Sequence, residues 1–119
     1  MSHRLSLIVA FTIILFSGVL IGPNGWAAAP QSGIQQGEKI FEDRKCSACH
    51  TVHGKGGKMG PDLSEIGDRR DEVFFKKFLP NPKSVFPQTI MPPFQGAKEE
   101  LDALAAYLQS LKKGSTGGK

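Results

Sequence analysis

The chain has 119 residues, with 15 Lys and Arg against 11 Asp and Glu and a formal net charge of +4. This length allows one domain, and the two cysteines exclude both a multi-disulfide framework and a site built from four thiolates. The basic residues are scattered, with no run longer than two, so the composition indicates no nucleic-acid partner and favours a mildly basic docking surface.

The first 27 residues have the pattern of a secretory signal peptide. Arg4 is followed by an uncharged apolar run over residues 5–22, and the small residues Gly25 and Ala27 satisfy the usual rule for cleavage after Ala27. The alternative is an uncleaved membrane anchor, because this run is at the lower edge of what spans a bilayer. In both cases the rest of the chain is expected in the periplasm or an equivalent exported compartment, with membrane association only if the segment stays uncleaved.

After this segment (1–27), we predict one small helical domain over residues 28–113 and a flexible tail over 114–119. A body of this size buries too little surface to be very stable alone, so a cofactor or another staple is expected. The tail is rich in glycine and has no apolar residue with which to pack.

Hydrophobic periodicity and capping residues predict three helices separated by long Gly- and Pro-rich loops. The first begins with the capping box Ser32 to Gln35 and runs to about Lys45. The second covers 71–79 and ends before a proline, and the third covers about 98–113 with acidic residues at its start and lysines at its end. No run alternates with a period of two, so no strand is predicted.

The segment Cys46-Ser47-Ala48-Cys49-His50 is the strongest chemical signal in the chain. Two thiols separated by two residues and followed by histidine match covalent haem attachment, in which each thiol adds to one vinyl group and the histidine binds the iron. Three alternatives remain: a structural disulfide, a thioredoxin-like redox pair, and a zinc site that also uses His53. The disulfide would be strained, the redox pair lacks its βαβ setting, and the zinc ligands would crowd into eight residues.

The sixth iron ligand has three candidates, which are His53, Met59 and Met91. His53 follows His50 too closely to reach the opposite face of a haem, and Met59 lies in the same Gly-rich loop. Met91 stands beyond the second helix and before two prolines that stiffen its loop. We therefore prefer Met91 as the ligand, against the alternative that it only fills the core.

These features together resemble a small monohaem class I cytochrome c. The resemblance covers about residues 35–112 and rests on the following marks: Gly37 and Phe41, CSACH at 46–50, GPDL at 60–63, IMPPF at 90–94 and LAAYLQSL at 104–111. It implies an all-α class I cytochrome c fold, with three or more helices and long loops wrapped around one covalent haem c.

The resemblance also implies specific contacts. The first helix would cross the last one with Gly37 and Phe41 near Tyr107, and the carbonyl of Pro61 would accept the Nδ1 proton of His50. The tryptophan that usually lies near the haem propionates is absent, so Gln88 and Thr89 are only weak candidates for that contact.

The predicted function is one-electron transfer between periplasmic or membrane redox proteins, by a protein that is not an enzyme and is a monomer. Met ligation raises the reduction potential, and so does a dry haem environment. Six residues are predicted to pack against the haem: Phe41, Leu63, Phe74, Phe78, Phe86 and Phe94.

Redox partners are expected to dock at the haem edge, near Lys45, Lys55 and Lys58, unless these are only solvated loop lysines. Two other functions stay open. One is a haem c subunit of a membrane-bound oxidoreductase, and the other is a haem sensor or catalyst in which Met91 is displaceable.

Overall fold

The computed structural model describes residues 32–115. The predicted signal segment (1–27) and residues 116–119 of the predicted tail therefore lie outside the described residues. Within the described part, three α-helices are joined by loops that contain three short 3-10 turns and one small hairpin. No helix of this part is both long and apolar enough to cross a membrane.

Helix α1 spans Gly33–Asp43 and begins as the sequence predicts. The Ser32 hydroxyl accepts a hydrogen bond from the Gln35 backbone N–H, and the Gln35 side chain accepts one from the Ser32 N–H, which completes the capping box. The buried residues of the helix are Gly37, Ile40 and Phe41, as their spacing indicates.

Helix α3 spans Lys98–Ser110 and crosses α1 at Gly37. A Cβ atom at Gly37 would lie 2.6 Å from Cβ of Tyr107 and would also collide with the carbonyl of Ala103, so the two backbones meet where a side chain is missing. The rings of Phe41 and Tyr107 pack at 5.6 Å between centroids beside this crossing. The contact implied by the family resemblance is therefore present.

The third helix ends three residues earlier than predicted, because its C-terminal end is held by another part of the chain. Leu111 leaves the helix with ψ 90°, and its carbonyl accepts a hydrogen bond from the Gly67 N–H at 2.8 Å. The Lys113 N–H donates to the Asp68 carboxylate at 2.7 Å. The backbone and side-chain bonds of the 3-10 turn Ile66–Asp68 thus fix the chain at the end of α3.

Helix α2 spans Glu72–Phe78 and lies against α3. The Asp71 carboxylate accepts a hydrogen bond from the Phe74 N–H at 2.8 Å and caps the helix, and Leu79 ends it just before Pro80, as predicted. Phe75 points into the core, where it is 3% exposed.

One expectation was wrong: the described residues contain a short β-hairpin. Strand β1 (Thr51–Val52) pairs antiparallel with β2 (Lys55–Gly56). Both turn residues have positive φ, 49° at His53 and 78° at Gly54, which is the geometry that favours a two-residue hairpin. Strands of two residues are too short to show an alternating pattern, so they leave no periodic signal in the sequence.

Candidate functional site

A cavity of about 1280 Å³ lies between α2, α3 and the two long loops. It exceeds the roughly 300–1,000 Å³ of an ordinary small-molecule pocket. Most of its lining is apolar, and the aliphatic and aromatic part consists of Leu63, Ile66, Phe74, Phe75, Phe78, Leu79, Phe86, Ile90, Phe94, Leu104 and Leu108. The cavity therefore suits a large, largely apolar group.

The cysteine segment lies along one side of this cavity. Residues Cys46–Ala48 form a 3-10 turn entered through Lys45, which has φ 61°. The His50 N–H donates to the Cys46 carbonyl at 3.0 Å, so the segment closes into a compact turn that brings both thiols and the imidazole to the cavity. No disulfide joins the two cysteines, and burial raises the pKa of the Cys46 thiol.

Residues 60 and 61 contact the imidazole of His50 and fix its orientation. Its Nδ1 lies 2.9 Å from the Pro61 carbonyl oxygen, the distance of a hydrogen bond in which Nδ1–H donates. This bond orients the ring and leaves Nε2 as the nitrogen available to a metal. Gly60 lies against the ring, and its own N–H donates to the Cys49 carbonyl at 2.8 Å.

Met91 lines the same cavity and is half-buried. Its N–H donates to the Thr89 hydroxyl at 3.2 Å, and the Phe94 N–H donates to the Leu79 carbonyl at 2.8 Å. These two bonds fix the loop on both sides of Met91, so that the thioether is presented by a short, tethered segment.

The other two ligand candidates are placed differently. Met59 also lines the cavity, but it is 72% exposed and its sulfur lies 3.9 Å from the Cys49 sulfur, which puts it on the side of the cysteine segment. His53 sits in the hairpin turn, its N–H donates to the Ser64 hydroxyl, and it lines a separate surface cleft. Among residues 32–115, no three His, Cys, Asp or Glu side chains converge on a metal position, so the structure does not favour the zinc alternative.

Five of the six predicted packing residues line the cavity: Leu63, Phe74, Phe78, Phe86 and Phe94. Phe41 does not, because α1 directs its ring onto Tyr107 in the core between α1 and α3. Phe75, Leu79, Leu104 and Leu108 take part in the lining instead.

Cationic groups at the cavity were mostly missed by the sequence reasoning. Arg44, Lys45, Arg69 and Arg70 all line it, and none of its lining residues among those described is Asp or Glu. Gln88 and Thr89 line it as well, whereas Lys55 lines the surface cleft that contains His53 and Lys58 lines neither. The sequence shows two consecutive arginines at 69–70. Their position at the cavity follows only from the contact between the preceding turn and the end of α3.

This donor set fits a haem. Two thiols and an imidazole lie in one turn, and a thioether, a broad apolar lining and several cations surround the same space. A haem is a flat apolar ring with two carboxylates, which need cationic or hydrogen-bonding partners.

The sequence model of the family described as Cytochrome c matches residues 34–112. The chain belongs to the cytochrome c family. It is 33% identical over 104 residues to the "Cytochrome c" of Sesamum indicum, an alignment that covers 68% of this chain and 92% of that one. It is also similar to a solved structure, the c-type cytochrome SorU from Sinorhizobium meliloti, with a TM-score of 0.54 and 26% identity over 67% of this chain and 91% of the other.

Longer proteins are related as well. The chain is 33% identical over 86 residues to "Cytochrome c oxidase subunit 2" of Alkalihalophilus pseudofirmus, an alignment that covers 65% of this chain and 25% of that one. It spans between 25% and 59% of the length of the first three curated relatives it matches. Membership of this family shows that the cofactor is covalently bound haem c.

Proposed function

We propose that this cytochrome c is a one-electron carrier whose single haem is attached through Cys46 and Cys49 and coordinated by His50 and Met91. The observation that supports this assignment most directly is that both thiols, the imidazole and the thioether line one cavity. The haem iron supplies the chemistry, because it takes up and releases one electron.

The protein groups have distinct tasks in this proposal. The Pro61 carbonyl oxygen accepts a hydrogen bond from Nδ1–H of His50 and so fixes the tautomer that leaves Nε2 for the metal. Met91 would bind the iron and so leave no open position for an external substrate, while the aromatic lining would keep water out. A filled, dry site changes little when its charge changes, which suits a carrier.

The cationic lining residues suit the carboxylates of the cofactor and an acidic docking partner. Arg69 and Arg70 supply guanidinium groups next to the apolar lining, and Arg70 is held over the Phe74 ring at 4.9 Å. Exposed Met59, Phe86 and Ile90 form apolar parts of the cavity rim. We propose that acidic redox proteins dock at this rim, that the protein is an exported monomer, and that residues 1–27 direct its export.

Two substitutions test the proposed ligation by Met91 directly. We expect the exported, haem-loaded wild type to show a low-spin spectrum with the weak far-red band of a sulfur–iron(III) bond. Met91→Ala removes that band and gives a high-spin spectrum, whereas Met59→Ala, which deletes the other thioether at the cavity, leaves the band in place. A low-spin, far-red-absorbing Met91→Ala protein would overturn the assignment.

The alternative of a haem c subunit in a larger oxidoreductase is favoured by one observation, the similarity to "Cytochrome c oxidase subunit 2". It predicts that the native protein purifies with membranes and other subunits and retains residues 1–27. The alternative of a sensor or catalyst predicts that the wild type binds carbon monoxide or cyanide readily without a substitution at Met91.

A further inference from the structure

We infer that Arg44 is a positioning residue for the Met91 loop, which we define as residues 89–94. This inference rests on the proposed ligation by Met91. Arg44 is the C-cap of α1 and stands two residues before Cys46, far in sequence from the loop that it would control.

One guanidinium connects three parts of the chain. Nη2 of Arg44 donates to Oε2 of Glu100 in the first turn of α3 at 2.8 Å. The centre of the same guanidinium lies 5.5 Å from the centroid of the Phe94 ring, which is within the range of a cation–π contact. Arg44 thus joins the start of the cysteine segment to the end of the Met91 loop and to α3.

Glu100 is itself fixed by a second bond. Its Oε2 accepts the Ala97 N–H at 3.1 Å, at the N-terminal end of α3. The carboxylate is therefore held by the helix that follows the loop, and it holds the guanidinium against Phe94. Since a planar guanidinium can hydrogen-bond to a carboxylate and lie over an aromatic ring at the same time, lysine would reproduce the charge but not both contacts together.

The sequence of the loop makes this contact important. Pro92 and Pro93 have no N–H, so after Met91 the next backbone donor is that of Phe94, which bonds to the Leu79 carbonyl. The position of Met91 consequently depends on where Phe94 is held. Within residues 32–115, only the Thr89 hydroxyl bonds to the Met91 N–H itself.

The Arg44 and Glu100 side chains are 43% and 35% exposed. Their contacts therefore make a modest contribution to the free energy that keeps the Met91 loop closed. We expect their loss to increase the open population of the Met91 loop about three- to tenfold. An external ligand that binds only the open form then binds more tightly by the same factor.

The test uses the oxidised, haem-loaded protein and imidazole as the external ligand, with loss of the far-red sulfur–iron band as the signal. Arg44→Ala and Glu100→Gln should each lower the apparent dissociation constant of imidazole about three- to tenfold, and the double variant should gain less than the product of the two. Arg44→Lys should lie between wild type and Arg44→Ala. Lys39→Ala is the matched control, because it removes another α1 cation whose partner is Asp43, and it should bind imidazole as the wild type does.

Global unfolding, followed by far-UV circular dichroism in denaturant, separates positioning from general stability. A purely structural role would shift the unfolding midpoint and leave imidazole affinity unchanged, and that result would overturn the inference. If Arg44→Ala yields no haem-loaded protein, Glu100→Gln decides between the two roles by the same two measurements. A wild type without the sulfur–iron band would instead contradict the proposed Met91 ligation, so the two failures are distinguishable.

Discussion

At the scale of single residues, Gly60 packs directly against the His50 ring. A Cβ atom at position 60 would lie 2.5 Å from Cε1 and 2.7 Å from Nδ1 of the imidazole. Gly60→Ala should therefore push the ring away from the Pro61 carbonyl and lower the free energy of unfolding by about 1–3 kcal/mol. Denaturant unfolding of the haem-loaded protein measures this loss.

Gly33→Ala is the matched control for that prediction. It introduces the same methyl group in the first turn of α1, where nothing lies within 4 Å of the new atom. Its stability should equal or slightly exceed that of the wild type. Equal stabilities of the two alanine variants would show that the imidazole is not confined by residue 60.

The residues that could be predicted from the sequence are those whose chemistry depends on short spacing. Cys46, Cys49 and His50 form one turn, and a local motif is enough to bring them together. The cations Arg44, Arg69 and Arg70 could not be assigned in this way, because their place at the cavity depends on contacts with α3 and the Met91 loop. Phe41 was predicted to pack against the haem, but its ring packs on Tyr107, which is the neighbour that the family resemblance implies.

At the scale of elements, the crossing of α1 and α3 buries a titratable group. Burial raises the pKa of Tyr107 to about 12, and Glu38 and Glu42 of α1 contribute through their negative charge. An unfolded tyrosine has a pKa of about 10, so above that pH the unfolded chain loses its proton first. The wild type should therefore lose stability relative to Tyr107→Phe as the pH rises from about 10 to 12.

The comparison of these two proteins isolates the tyrosine from other alkaline changes. Phenylalanine keeps the ring that packs on Phe41 but has no proton to release. Urea unfolding at several pH values gives the difference in unfolding free energy, which should be constant below about pH 10 and then decline. A difference that stays constant up to about pH 12 would mean that the hydroxyl is solvated in the folded protein.

Helix starts were predictable because capping is local, and helix ends were less so. The cap at Ser32 and the acidic start of α2 depend on residues within one turn. The end of α3 depends on Gly67 and Asp68, more than forty residues away, which bond to the chain after Ser110. The hairpin was missed because only its turn, and not its two-residue strands, has a sequence preference.

At the scale of the whole molecule, we expect the charges around the cavity to affect electron transfer with charged partners more than the net charge does. Arg44, Lys45, Arg69 and Arg70 line the cavity without an acidic residue among the described lining, whereas Lys55 belongs to a separate cleft. A charge reversal at Lys45 and one at Lys55 change the net charge equally. Any difference between the two variants therefore reports where electrons enter and leave.

Small redox reagents of opposite charge make this comparison without a known partner. At low ionic strength, Lys45→Glu should slow oxidation of the reduced protein by anionic hexacyanoferrate(III) about two- to fivefold and accelerate oxidation by a cationic cobalt(III) complex. Lys55→Glu should change both rates less, because its charge lies outside the cavity rim. Both effects should fade as added salt shortens the screening length. Since a change in reduction potential would move both rates in the same direction, equal slowing with the two reagents would argue against electrostatic docking at this rim.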